Sequence, residues 1–79
     1  MPRVRRESDP WDRYRVLIIG TMDVLEIDTT ELARRMGVSR QTMAVKLARP
    51  ESLRLGDMRK LHRVLGIKAD DARAALPVV

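Results

Sequence analysis

Cysteine is absent from the 79 residues, and histidine occurs once, at His62. The first absence excludes disulfides and thiolate metal sites. The second means that a zinc ion would have to take most of its ligands from carboxylates. Both fit a reducing compartment. Long apolar runs are also missing. The longest, Val16 to Ile19, is far short of the roughly 20 residues of a bilayer span, and no apolar signal core follows the basic start. No Ser-His-Asp, phosphate-loop or metal-ligand pattern occurs. A chain this small has little room for an enclosed pocket, so neither a cofactor nor a small-molecule ligand is expected.

Positive charge, by contrast, is plentiful. The net charge is +5, which favours polyanionic partners, nucleic acid being the commonest. The charges are also segregated. Residues 16–31 hold four acids (Asp23, Glu26, Asp28, Glu31) and no base, whereas residues 32–50 hold five bases (Arg34, Arg35, Arg40, Lys46, Arg49) and no acid. A sign change within one small domain predicts an oriented electrostatic face. The length suits a single domain, and a domain of this size buries only about 60% of its unfolded surface. Dimerisation would therefore help it.

The chain divides into an arm at 1–10, a domain at 11–76 and a short tail at 77–79. The arm carries Arg3, Arg5 and Arg6, which suit either a minor-groove contact or a tail without a role. Asp9-Pro10 signals a helix start, with Asp9 as N-cap. A first helix is predicted from about Trp11 to Val24, with Tyr14, Ile18, Met22 and Leu25 as its core stripe. Val16, Leu17, Ile19 and Val24 exceed that stripe. Either they form a second packing surface or Tyr14–Ile19 is a strand, a doubt to which Gly20 adds.

Asp28-Thr29-Thr30-Glu31 reads as a capping box opening a second helix. Leu32, Ala33 and Met36 are its buried face and Gly37 its stop. Ser39 caps a third helix, with Met43 and Leu47 facing inward and Pro50 beyond its end. A fourth helix, about Leu55 to Leu65, carries the stripe Leu55, Met58, Leu61 and Leu65, with Gly66 after it. A fifth could run from Ala69 to Leu76, ended by Pro77. His62 is expected at a surface or rim, and the methionines as core filler.

The informative unit is Leu32 to Met43. Two helices crossing steeply need a small residue at the contact, supplied by Ala33. The turn needs a residue free to take positive φ, supplied by Gly37. An apolar residue must seal the corner, and Val38 follows. This is the pattern of a helix-turn-helix spanning Asp28 to Leu47, in which the second helix keeps one side free for a groove.

In these residues the chain resembles the phage repressor and Cro family of helix-turn-helix proteins, the xenobiotic-response-element or lambda-repressor-like type. The likeness covers about Tyr14 to Ile67. It rests on Asp28, Glu31-Leu32-Ala33, Gly37-Val38-Ser39 and Leu53 to Ile67, which looks like the family's fourth helix. Lys46 stands where the family usually keeps an apolar residue, and Thr29 where it often has glutamine.

The resemblance implies an all-α, four- to five-helix bundle that binds double-stranded DNA at an operator as a small transcriptional regulator. It implies a cytoplasmic protein of a bacterial or phage-infected cell, with no chemistry of its own. Carried over by position, Arg40, Gln41 and Val45 would face base edges. Thr29, Ser39, Thr42, Lys46, Arg49 and Arg54 would contact the DNA backbone. Arg34 and Arg35 suit a solvated face better than a DNA contact. A two-fold homodimer is expected, with Val16, Ile19, Leu76, Val78 and Val79 as surplus apolar residues for its interface. An antitoxin-type autoregulator belongs to the same class. The alternative from another class is a protein-interaction module that keeps the fold without binding DNA.

Overall fold

A computed structural model describes residues 9–77. The basic residues of the arm (Arg3, Arg5, Arg6) and Val78 and Val79 of the tail lie outside the described residues. Helices α1 (Asp12–Leu25), α2 (Thr29–Met36), α3 (Arg40–Ala48), α4 (Leu55–Leu65) and α5 (Ala69–Ala75) follow one another, with a short 3-10 turn at Pro50–Ser52. The described residues form an all-α globule without strands. No helix among them is long and apolar enough to cross a membrane.

The doubt over Tyr14–Ile19 is resolved in favour of helix. Tyr14, Ile18 and Met22 are buried at four-residue spacing while Val16 and Gly20 between them are exposed, a pattern that a helix gives and the two-residue period of a strand does not. The helix starts later than the Asp9-Pro10 signal predicts: Trp11 is its N-cap, with no side-chain cap bond, and Asp9 closes the turn before it, its Oδ1 accepting from the Trp11 N–H at 2.8 Å and its carbonyl from the Asp12 N–H at 3.0 Å. Trp11 packs edge-on against Tyr14, with ring centroids 5.7 Å apart.

Leu25, expected in the core stripe, is exposed. The reason is the turn that follows. Glu26 takes a left-handed conformation with φ 57°, and the Ile27 N–H donates to the Met22 carbonyl at 2.9 Å. The chain thereby reverses and buries Ile27 instead.

The Asp28 carboxylate accepts from the Glu31 N–H at 2.8 Å. The reciprocal half of the expected capping box is not made. Glu31 turns outward, accepting from Arg34 Nη2 at 2.6 Å and Arg35 Nε at 2.8 Å. Gly37 ends α2 at φ 76°, and the Val38 N–H donates back to the Ala33 carbonyl at 3.0 Å. This leaves Val38 half-buried against the core. Two further bonds lock the bundle from outside α2 and α3. Lys60 Nζ donates to the Met36 carbonyl at 3.2 Å, placing a cation at the negative end of α2. Arg15 Nε donates to the Ala48 carbonyl at 3.0 Å, at the equivalent end of α3.

One apolar cluster joins these elements. α1 packs on α4 and α5, and α2 packs on α3 and α4. Leu32, Ala33, Met36, Met43, Leu61 and Leu65 are buried in it. Leu55 is exposed, a second departure from the expected stripes. It opens α4 at the margin of the arc defined by Leu61 and Leu65, and Leu53, just before the helix, packs on the core in its place. Leu76 also packs on the core, so this tail residue folds back within its own chain.

Candidate nucleic-acid interface

α3 gives little of its surface to the core. Of its nine residues only Met43 is fully buried, with Lys46 and Leu47 half-buried. Its start is well built. Ser39 is extended and its Oγ accepts from the Thr42 N–H at 3.0 Å, the usual N-cap bond. The Ser39 hydroxyl in turn donates to Thr42 Oγ1 at 2.8 Å. The proton of the Thr42 hydroxyl is left uncommitted and points from an exposed position at the positive end of the helix.

Beyond that cap the outward side of α3 carries Gln41, Ala44, Val45 and Ala48, all exposed and spaced three and four apart on one face. Val45 is 56% exposed, which no packing need within this chain explains. Arg40 lies exposed at the N-terminal edge of the face. Among the described residues, neither Arg40 nor Gln41 has a side-chain hydrogen bond or ion pair within its own chain, and α3 contains no acid. The sequence reading picked out Arg40, Gln41 and Val45 but passed over Ala44 and Ala48. Their signal was the helical spacing from Gln41. Their small side chains let a surface come close to the helix.

The other expected contacts are distributed more widely. Thr29 opens α2 and is half-buried beside the Asp28 cap. Arg49, at the C-cap of α3, and Arg54, at the N-cap of α4, are exposed at either end of the Pro50 turn. Glu51 is exposed between them.

Lys46 does not share the outward face. Its side chain is only 20% exposed, and Nζ lies 3.6 Å from Asp57 Oδ2. Its stem lies with Tyr14, Ile18, Leu47 and Leu61 around a small apolar recess. An apolar residue would suit the spot, and lysine satisfies it with its methylenes while its ammonium reaches Asp57. Arg34 and Arg35 both share Glu31, and the hydrogen bonds from Arg34 and then Arg35 hold its carboxyl below the usual range.

His62 is not a free rim residue. Its Nε2 lies 2.7 Å from the Tyr14 hydroxyl, and burial lowers its pKa. No carboxylate accompanies this pair, and among the described residues no cluster of three His, Cys, Asp or Glu side chains forms a metal site. Guanidinium, carboxamide and methyl groups stand in a row along the narrow convex α3. Compared with known protein families, characterised proteins and solved structures, the chain has no significant match.

Proposed function

We propose that this chain is a sequence-specific double-stranded DNA-binding protein, with α2 and α3 as a lambda-repressor-like helix-turn-helix and α3 entering the major groove. The observation that carries this reading is the acid-free outward face of α3, with Gln41, Ala44, Val45 and Ala48 in line and Arg40 at its edge. A free helix face of this width fits the major groove. There Arg40 can fork onto guanine, Gln41 onto adenine, and Val45 can touch a thymine methyl. The exposed Thr42, Arg49 and Arg54 would donate to phosphates, which supply register and affinity, with Ser39 positioning the Thr42 hydroxyl. Thr29 is a weaker donor at the start of α2.

In this reading the protein is a small transcriptional regulator that occupies an operator as a homodimer, in the manner of a phage repressor or Cro. An autoregulating antitoxin would use the same contacts. The protein-interaction alternative draws on the exposed valines of α1 and α3. Fluorescence anisotropy on random duplex DNA between 50 and 200 mM salt separates the two readings. A binding constant that falls steeply with salt supports DNA binding, and absence of binding at low salt overturns it. Selection from a random duplex pool then gives the operator, whose half-site spacing should be about one helical turn.

A further inference from the structure

The outer face of α1 has no use within the described chain. Val16 is 72% exposed and Val24 82%, and they stand two turns apart with Gly20 midway between them. Among the described residues nothing lies within 4 Å of where a Cβ on Gly20 would be, so none of their contacts requires glycine there. Glycine is nevertheless a costly residue in mid-helix. Two shallow apolar depressions meet at Gly20, one on the side of Leu17 and Thr21, the other on the side of Ile19 and Asp23. The ends of the same face are charged. Arg13 is exposed at the start and Asp23 near the end. Among the described residues neither is in an ion pair.

We propose that this face is a self-association surface, on which α1 of a second copy of the chain crosses antiparallel at Gly20. The two-fold axis passes through the Gly20 pair, where the absence of side chains lets the two backbones approach. Residues equally far from Gly20 in opposite directions then meet. Val16 of each copy seats against Val24 of the other, in the depressions beside Gly20. Arg13 lies about 10 Å along the axis from Gly20 and Asp23 about 4.5 Å on the other side, from the rise of ~1.5 Å per residue. An antiparallel pairing therefore brings each Arg13 within about 6 Å along the axis of the partner copy's Asp23, a gap that its long side chain spans. A parallel pairing would set like charges together.

Such an interface is isologous, as a two-fold dimer requires. Leu76 does not cover this face, since it lies with Leu55, Met58 and His62 around α4. A single pair of helices buries less than a standard interface, so the free protein should associate weakly. The inference shares with the DNA-binding reading only the need for a second copy. Its test contains no DNA, so failure of either can be told from failure of the other.

Sedimentation equilibrium of the full chain from micromolar to millimolar concentration, with circular dichroism to confirm folding, provides the test. The wild type should show a monomer–dimer equilibrium. Gly20→Ala should weaken it while raising the melting temperature, since the added methyl meets open space within the monomer and favours helix. Arg13→Glu and Asp23→Arg should each weaken self-association about tenfold, because two attractive contacts per dimer become repulsive. Mixed in equal amounts, these two variants should associate again, since every contact in the mixed dimer is attractive. A wild type that stays monomeric at millimolar concentration overturns the proposal. So does self-association unchanged by Gly20→Ala, or charge variants that fail to rescue one another.

Discussion

The Tyr14 hydroxyl on α1 meets Nε2 of His62 on α4 at 2.7 Å, and the two rings stand edge to face with centroids 5.7 Å apart. Tyr14 is fully buried, so its hydroxyl needs a partner, and the histidine supplies one where no water could. The only histidine of the chain is therefore structural, and it couples the helix bearing the proposed dimer face to the bundle.

This pair makes stability depend on pH at both ends. Burial holds the folded pKa of His62 below 6.5. Above pH 6.5 the ring is neutral in the folded and the unfolded chain. As the pH falls below 6.5 the unfolded chain takes up the proton first, so stability declines. Burial pushes the Tyr14 phenol up to about 12 from 10.0. As the pH rises past 10 the unfolded phenol ionises first, and stability declines until about 12. Urea unfolding from pH 5 to 11 should show a plateau between these limbs. His62→Gln should flatten the limb between pH 6.5 and 5. An acid limb that persists there in His62→Gln would assign it to other groups.

Arg40→Ala and Gln41→Ala should each change the preferred bases, at about 1–3 kcal/mol on the selected site. Both side chains are exposed and have no partner within the described chain, so neither change should disturb the fold. Competition binding on the selected site and on random duplex measures the difference. Equal losses on both would mean that these residues do not read bases.

Lys46 and Arg49 should behave differently, although a sequence reading gives both to the DNA backbone. Arg49→Ala should weaken binding about evenly across sequences and lower the salt slope by roughly one unit. Lys46→Met should leave that slope nearly unchanged, because the ammonium is directed to Asp57 and the stem is already packed among apolar side chains. A drop in slope with Lys46→Met equal to that of Arg49→Ala would show that Lys46 leaves Asp57 for a phosphate.

Ala33→Leu should lower stability by about 1–3 kcal/mol, the usual cost of overpacking, which is a large share for a domain of this size. Ala33 is buried in α2, which packs on α3 and α4, and its carbonyl accepts from Val38 at 3.0 Å. An unchanged melting temperature would show that the helices can separate there without loss.

The amino-acid sequence by itself determined the parts of this protein that depend on neighbours along the chain. Helix starts at Asp28 and Ser39 and stops at Gly37 and Gly66 follow from local hydrogen bonding and from the freedom of glycine at positive φ. The periodicity of Tyr14, Ile18 and Met22 foretold their burial for the same local reason, whereas Arg40, Gln41 and Val45 were picked out by position from the family resemblance. What only the tertiary structure decided concerns partners far apart in sequence. The pairing of Lys46 with Asp57, of Tyr14 with His62, of Lys60 with the end of α2 and of Arg15 with the end of α3 has no signature in local pattern. The same holds for the exchange of Leu25 for Ile27 and of Leu55 for Leu53 in the core. A one-dimensional pattern records that a residue is apolar or charged. Which side of a helix is covered, and by what, is set by how the helices cross.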